Sequence, residues 1–329
     1  MSMPDLIGHG DDLLGEISTP DSEEIVGRTP WQLFWERFRE DKVAIGSVCV
    51  IFLIVLLAVL APVFVTLGIT HAPNTLYSDK LTTFGLPTGP SWSFLFGTDD
   101  LGRDVFSRVL YGARVSLEVA LISTVIAVSI GVVLGMIAGY YRGAVDTIIS
   151  RFIDIMLAFP ILLLALGIAA TCSAISHGCL HGLIKPGVST LITVIVIVNW
   201  TYIGRIIRGQ VLSLREKEFV EAARASGAGD IAILFREILP NLVAPIIVYT
   251  TLIIPTNILL EAALSFLGVG VMPPQASWGE MIAKAIDYFN TSWWFFAFPG
   301  AALLITVLAF NLLGDAVRDA LDPRTVDVT

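Results

Sequence analysis

Four side chains of metal-ligand type crowd one short stretch: Cys172, His177, Cys179 and His181. Thiols and imidazoles at that density could hold a transition metal. Two cysteines this close also suit a disulfide, which is worth about 2–3 kcal/mol for so short a loop. The pair Cys172 and Cys179 is carried forward as a candidate disulfide, and no metal site is assigned. The remaining cysteine, Cys49, sits in an apolar run and reads as a small filler.

Other candidate chemistry is weaker. Gly227-Ala-Gly-Asp-Ile-Ala232 spells a dinucleotide fingerprint, but that turn must follow a strand and open a helix, and here a helical pattern precedes it. The same Gly-Ala-Gly-Asp echoes an intramembrane aspartyl protease motif, whose chemistry needs two aspartates facing one another inside the membrane. Asp230 lies instead in a basic loop. The chain contains no His-Glu-x-x-His, no Gly-x-Ser-x-Gly and no Gly-x-x-x-x-Gly-Lys-Ser/Thr. No catalytic residue and no cofactor site in this chain is assigned. Glu118, Glu261 and Asp315 flank apolar runs and read as interfacial groups rather than a proton relay. Asn257 and Asn311 fall within such runs and are expected to hydrogen-bond between helices.

The elements that must position these residues are membrane helices. Of 329 residues 55% are hydrophobic and only 15% charged, against about 25% charged in soluble domains; mean hydropathy is +0.79. Residues 43–70 carry no charge, nor do 119–141, 155–176, 187–204, 238–260 and 288–314. Each run is near the roughly 20 residues a helix needs to cross about 30 Å of hydrocarbon. The expectation is an all-α membrane protein with six transmembrane helices; a soluble enzyme and a β-barrel are excluded. The net charge of −9 is misleading, because residues 1–42 hold ten Asp/Glu against four Lys/Arg. With the N-terminus inside, 14 of the 20 basic residues fall on inner segments and six on outer ones, so both termini are expected in the cytoplasm.

Along the chain, 1–28 reads as a disordered acidic tail with no signal-peptide pattern. Residues 29–70 combine an interfacial amphipathic helix, carrying Trp31, Phe34, Trp35 and Phe38, with a first crossing at about 43–67. An outer segment, 71–114, is irregular over 73–97. Thr98-Asp99 is then expected to cap a short helix near 100–112, whose apolar face of Val105, Phe106, Val109 and Leu110 rests on the membrane or a partner. A core of 115–315 holds the other five crossings, and 316–329 forms a cytoplasmic tail. Gly131, Gly135 and Gly139 line one face of the second crossing, where two helices can pack backbone to backbone. Pro160, Pro245, Pro255 and Pro299 bend later crossings.

The longest inner loop, 205–240, is the most specific feature. Residues 215–226 favour a helix, Gly227 can end it in the left-handed conformation, and Asp230 can cap the next. Asn241, after Pro240, opens the fifth crossing. Phe219, Ala222, Ala223 and Ser226 share one face of the resulting knob, which could seat in a groove on a soluble partner.

This loop resembles the "EAA" loop of permease subunits of ATP-binding-cassette (ABC) importers, with Glu221-Ala222-Ala223, Gly227 and Leu239-Pro240 at the family spacing. A second string, Phe96-Gly-Thr-Asp-Asp-Leu-Gly-Arg-Asp104 with Ser107-Arg108, Gly112, Arg114 and Ser116-Leu117, is similar to C-type permeases of the dipeptide/oligopeptide/nickel group. So is a third, Glu261-Ala-Ala-Leu-Ser-Phe-Leu-Gly268 with Gly270, Pro273-Pro274 and Trp278-Gly279. The resemblance covers about 30–325. It implies a type I ABC importer permease fold in the cell inner membrane, paired with a homologous second permease and embedded in lipid. It also implies two ATPase subunits that bind the ATP and Mg, an extracytoplasmic substrate-binding protein, a peptide as substrate and no nucleic acid. Phe219, Glu221, Ala222, Ala223, Gly227, Arg236, Leu239 and Pro240 would contact the ATPase. Where the family often has His before Ile-Leu-Pro, this chain has Glu237 after Arg236. A nickel or other small-solute permease, an ion-coupled secondary transporter and a non-transporting scaffold are the rival readings; the second predicts acidic pairs deep in the bilayer, and none is legible.

Overall fold

The computed structural model describes residues 30–174, 179, 182 and 184–321. The acidic tail 1–28, His177, His181 and residues 322–329 lie outside them.

Trp31, Phe34, Trp35 and Phe38 fall on α1 (Pro30–Glu40), where Phe34 stacks on Phe38 at 5.5 Å and Arg39 lies over Trp35 at 5.8 Å. Trp31 and Trp35 stay exposed, the uncovered apolar side of an amphipathic helix. Asp41 then caps α2 (Lys42–Thr66), its Oδ1 accepting from the Val43 and Ala44 amides. Helix α2 buries only small residues, Ala44, Ser47, Ala58 and Ala61, and leaves Phe52, Leu53 and Val59 exposed. That is the surface of a peripheral membrane helix.

The short outer helix and the second crossing are one helix, α3 (Val105–Tyr141), of 37 residues and about 55 Å. Nothing between Gly112 and Val119 breaks it, and the cap is Asp104, which accepts from the Phe106 amide at 3.0 Å. Thr98 and Asp99 are not its cap. The apolar face also differs from expectation: Val105 and Val109 are buried within the chain, against Met281, Ala285, Trp294 and Phe295.

The third crossing is broken. α4 (Gly143–Ala158) and α5 (Ile161–Ala174) meet at 90°. Phe159 precedes Pro160 and is held extended, as the proline ring requires of its predecessor. α5 alone spans about 21 Å, short of a bilayer core. Its Cys172 is bonded to Cys179, with Cα atoms 5.0 Å apart, so Cys179 is no free thiolate for a metal.

α6 (Val188–Leu214) packs along α3 at backbone distance. A Cβ at Gly131 would lie 2.8 Å from the Trp200 carbonyl oxygen, one at Gly135 2.7 Å from that of Gly204, and one at Gly139 2.8 Å from Val211 Cβ. After α7 (Glu218–Ala225), α8 (Asp230–Ala232) runs through a π-helical turn, Ile233–Ile238, into α9 (Leu239–Phe266). The fifth crossing therefore opens at Asp230 and passes through Pro240. The wider turn, in which the Leu239 amide reaches Leu234, sits just ahead of the proline that cannot donate. α10 (Trp278–Ala285), capped by Ser277, and α11 (Trp293–Leu321) complete the bundle. Among the described residues five helices are long and apolar enough to cross a membrane, six crossings if the α4–α5 pair counts as one.

The polar residues within the bundle sort themselves. Asn257 of α9 hydrogen-bonds Asn199 of α6 at 2.5 Å and Thr124 of α3 at 2.7 Å, tying three helices together. Asn311 instead donates to the Val307 carbonyl of its own helix. Glu118 and Asp315 are exposed, but Glu261 is fully buried and accepts a hydrogen bond from Ser265 at 2.7 Å, so it is no interfacial group.

Candidate functional site at the α7 elbow

α7 is eight residues long and starts three residues later than the sequence predicts. Arg215 is drawn back toward α3, where its guanidinium donates to the Tyr140 carbonyl, and residues 215–217 close α6 instead. Glu218 and Glu221 stand in the first turn and Arg224 in the last, the favourable order for the helix dipole. The helix ends in a full Schellman motif: Ala228 N–H donates to Ala223 O and Gly227 N–H to Arg224 O, both at 3.0 Å. Gly227 has φ +82°, and open space surrounds the Cβ it lacks, so the glycine is required by conformation and not by crowding.

One residue seats the helix. Val220 is fully buried in a cluster with Tyr140 and Met136 of α3, Ile207 and Val211 of α6, Ile233 and Ile238 of the π turn, and Leu242 of α9. Ala223 is half-buried against the same cluster, which sets it apart from exposed Phe219, Ala222 and Ser226. Glu221 is exposed as well. The elbow thus presents Phe219, Glu221, Ala222 and Ser226 outward on a base buried by Val220.

Polar bonds brace both sides. The Tyr140 hydroxyl donates to Asp230 Oδ1 at 2.8 Å, so Asp230 is a brace and not a helix cap. Arg142 pairs with Glu216 at 2.5 Å, and Arg215 with Glu216 at 3.3 Å. The Tyr140 hydroxyl also favours the charged form of Arg224, whose pKa is raised. Beside the elbow, Arg236 is exposed, Leu239 is half-buried against the Val220 cluster, and Pro240 is exposed. Ile231 and Phe235 are exposed at 71% and 57%. The sequence reading missed these two; their i, i+4 spacing was the available signal.

At the opposite end, the second sequence string folds around a buried cation. Arg108 is 1% exposed and reaches Glu280 at 3.1 Å, Asn74 at 3.3 Å, the Pro73 and Pro274 carbonyls and Asp99 at 3.5 Å. Asp99 also binds Arg103 at 2.6 Å and accepts from the Leu101 and Arg103 amides. Burial, then the neighbouring Asp99, pushes the Asp100 carboxyl above its ordinary pKa.

Residues 131–327 match the family described as binding-protein-dependent transport system inner membrane component, and residues 29–81 match the N-terminal transmembrane domain of oligopeptide transport permease C. Among curated proteins, the dipeptide transport system permease protein DppC of Alkalihalophilus pseudofirmus is 40% identical over 93% of this chain and 94% of its own. The di/tripeptide transport system permease protein DppC of Pseudomonas aeruginosa is 40% identical over 91% and 94%, and the glutathione transport system permease protein GsiD of Escherichia coli 39% over 90% and 91%. The inward-facing MetNI methionine ABC transporter matches in fold, with a TM-score of 0.52 and 16% identity over 65% of this chain and 96% of its own. The chain belongs to the binding-protein-dependent transport system inner membrane component family and is a multi-pass membrane permease subunit with the type I ABC importer fold.

Proposed function

We propose that this chain is one permease of an ATP-driven peptide importer and forms half of its translocation pore with a homologous second permease. Two ATP-binding-cassette ATPase subunits, which hold the ATP and Mg, dock on α7 from the cytoplasm, and an extracytoplasmic binding protein delivers peptide to the opposite face. Both termini then lie in the cytoplasm. One observation carries this reading. A bundle of membrane-length apolar helices projects an eight-residue helix with Phe219, Glu221, Ala222 and Ser226 outward, seated by Val220 and braced to α3. A helix held this firmly transmits force from whatever grips it. The peptide as cargo follows the names of the relatives, which run from dipeptide to glutathione permeases.

The test is assembly. Glu221→Lys and Phe219→Ala should each reduce co-purification of the ATPase subunits and ATP-dependent peptide uptake by roughly tenfold, while the variant permease still inserts in the membrane. Normal assembly and uptake in both variants would overturn the docking role.

A further inference from the structure

Along the α7-side halves of α6 and α9, beside the cluster in which Ile207 and Val211 meet Leu242, a trough lies on the face that α11 shares. Two neighbouring cavities, of about 480 and 240 Å³, share Tyr249 and Leu252 as walls. The larger opens beside Gln210 and Arg318. The smaller ends at Asn199, Tyr202 and Thr256, about halfway along both helices. Past that point Val194 and Val198 of α6 close against Leu260 and Leu264 of α9 in one apolar cluster. The trough is blind: open toward the elbow, sealed toward the other end.

Its lining does not suit lipid. An acyl chain asks for continuous aliphatic surface of the kind α2 presents, and a polar group left facing hydrocarbon is unfavourable. This trough shows two phenols, two amides, a hydroxyl and a guanidinium, drawn from α6 (Asn199, Tyr202, Gln210), α9 (Tyr249, Thr256) and α11 (Arg318). Among the described residues no carboxylate lines it, and the one charge there, Arg318, stands at the open mouth. Neutral donors and acceptors can pair with main-chain amides whatever the side chains, while Leu252 and Val248 tolerate apolar ones. A guanidinium at the mouth suits a terminal carboxylate. Together the two cavities fall within the roughly 300–1,000 Å³ of small-ligand sites.

We propose that this trough binds a short peptide through its main chain, with Tyr202, Tyr249 and Thr256 as the contacts and Arg318 facing the carboxylate at the exit. The proposal rests on the peptide-importer reading above.

Chains with one free thiol, Thr256→Cys, Tyr202→Cys and, on the exposed face of α2, Leu53→Cys, are built in a Cys49→Ser background that keeps the Cys172–Cys179 disulfide. Each is assembled into the complete transporter in inside-out vesicles and treated with a charged, membrane-impermeant thiosulfonate. The first two should label at least tenfold faster than the third. A saturating pool of di- and tripeptides should slow them at least fivefold and leave Leu53→Cys unchanged. Equally slow labelling of all three would put this face against lipid and overturn the proposal; fast labelling that the peptides do not slow would overturn the occupant. Uptake of the same pool by the unaltered complex separates the two readings: uptake without protection sinks the trough alone, whereas absence of uptake sinks the importer reading and the trough with it.

Discussion

The Tyr140 hydroxyl meets the Asp230 carboxylate at 2.8 Å, joining residues 90 apart in sequence. The backbone carbonyl of the same tyrosine accepts from Arg215. Arg215 precedes α7 and Asp230 follows it, so both ends of the elbow are fastened to one residue at the end of α3. Because α3 packs on α6 without side chains between them at Gly131, Gly135 and Gly139, a displacement of α7 reaches two membrane helices together.

Tyr140→Phe keeps the ring that covers Val220 and deletes only the hydroxyl. The expected loss is about 0.5–1.5 kcal/mol of local stability. ATPase subunits should still co-purify, but peptide uptake per ATP hydrolysed should fall several-fold. A double-mutant cycle with Asp230→Asn on the thermal midpoint of the detergent-solubilised complex checks the bond itself. The two changes should be non-additive, and strict additivity would show that the hydroxyl and carboxylate do not interact.

Gly227 separates conformation from size. At φ +82° a non-glycine residue costs about 1–2 kcal/mol, and nothing within 4 Å blocks a side chain. Gly227→Asn, which tolerates the left-handed region, should retain most ATPase association, whereas Gly227→Val should lose most of it in the same co-purification assay. Equal loss in both variants would mean that bulk, not backbone geometry, is what the partner senses.

How much of this was legible depended on distance along the chain. The first crossing lies where its charge-free run put it, at Lys42–Thr66, and the elbow was readable because Gly227 and its helix are neighbours in sequence. The third crossing bends at Pro160 as expected, but the extent of α4 was hidden, because the polar residues that hold it, Asp146 and Asp154, precede the apolar run and find their partners Arg208 and Arg205 on α6. Glu261 looked interfacial by position, yet the fold buries it. The Tyr140–Asp230 brace and the α6–α9 trough leave no periodic trace, since each is made by residues that only the packed bundle brings together.

The glycine seam on α3 is a graded test of packing. Gly135→Ala places a methyl 2.7 Å from the Gly204 carbonyl oxygen, which is backbone and cannot swing aside. Overpacking of this kind costs about 1–3 kcal/mol. Gly167→Ala, on α5 with nothing within 4 Å, should be neutral or slightly stabilising. Thermal unfolding of the two purified variants in one detergent checks the contrast, and matching midpoints would deny the close contact between α3 and α6.

Asp100 gives a pH signature. Its folded pKa is raised above 3.8 by burial and by Asp99, so the folded state holds a proton that the unfolded chain releases. Such a carboxyl weakens folding increasingly as pH rises from that ordinary value to the raised one, and the penalty stays constant above it. Asp100→Asn should therefore raise the thermal midpoint at pH 7, by an amount that shrinks as pH falls through the raised value and disappears below about 3.8. An advantage that is independent of pH would point to a packing effect instead.

Arg108 makes the sharpest stability prediction, because the cost of removing it comes from what is left behind. The guanidinium is 1% exposed and stands between Asp99 and Glu280, with three further oxygen partners on the segments around Pro73 and Pro274. Arg108→Met keeps the volume and takes a buried guanidinium away from Asp99 and Glu280, at a cost of about 3–5 kcal/mol. Arg108→Lys keeps the charge but not the planar fork, so it should fall between the two. Glu280→Gln added to Arg108→Met should recover part of the loss, since a carboxylate left with Lys284 alone at 2.6 Å is gone; Asp99 keeps Arg103 at 2.6 Å in either case. Thermal midpoints of the four proteins decide it. If the double variant is no better than Arg108→Met, the penalty lies in lost contacts with the Pro73 and Pro274 carbonyls, and the charge pair is incidental.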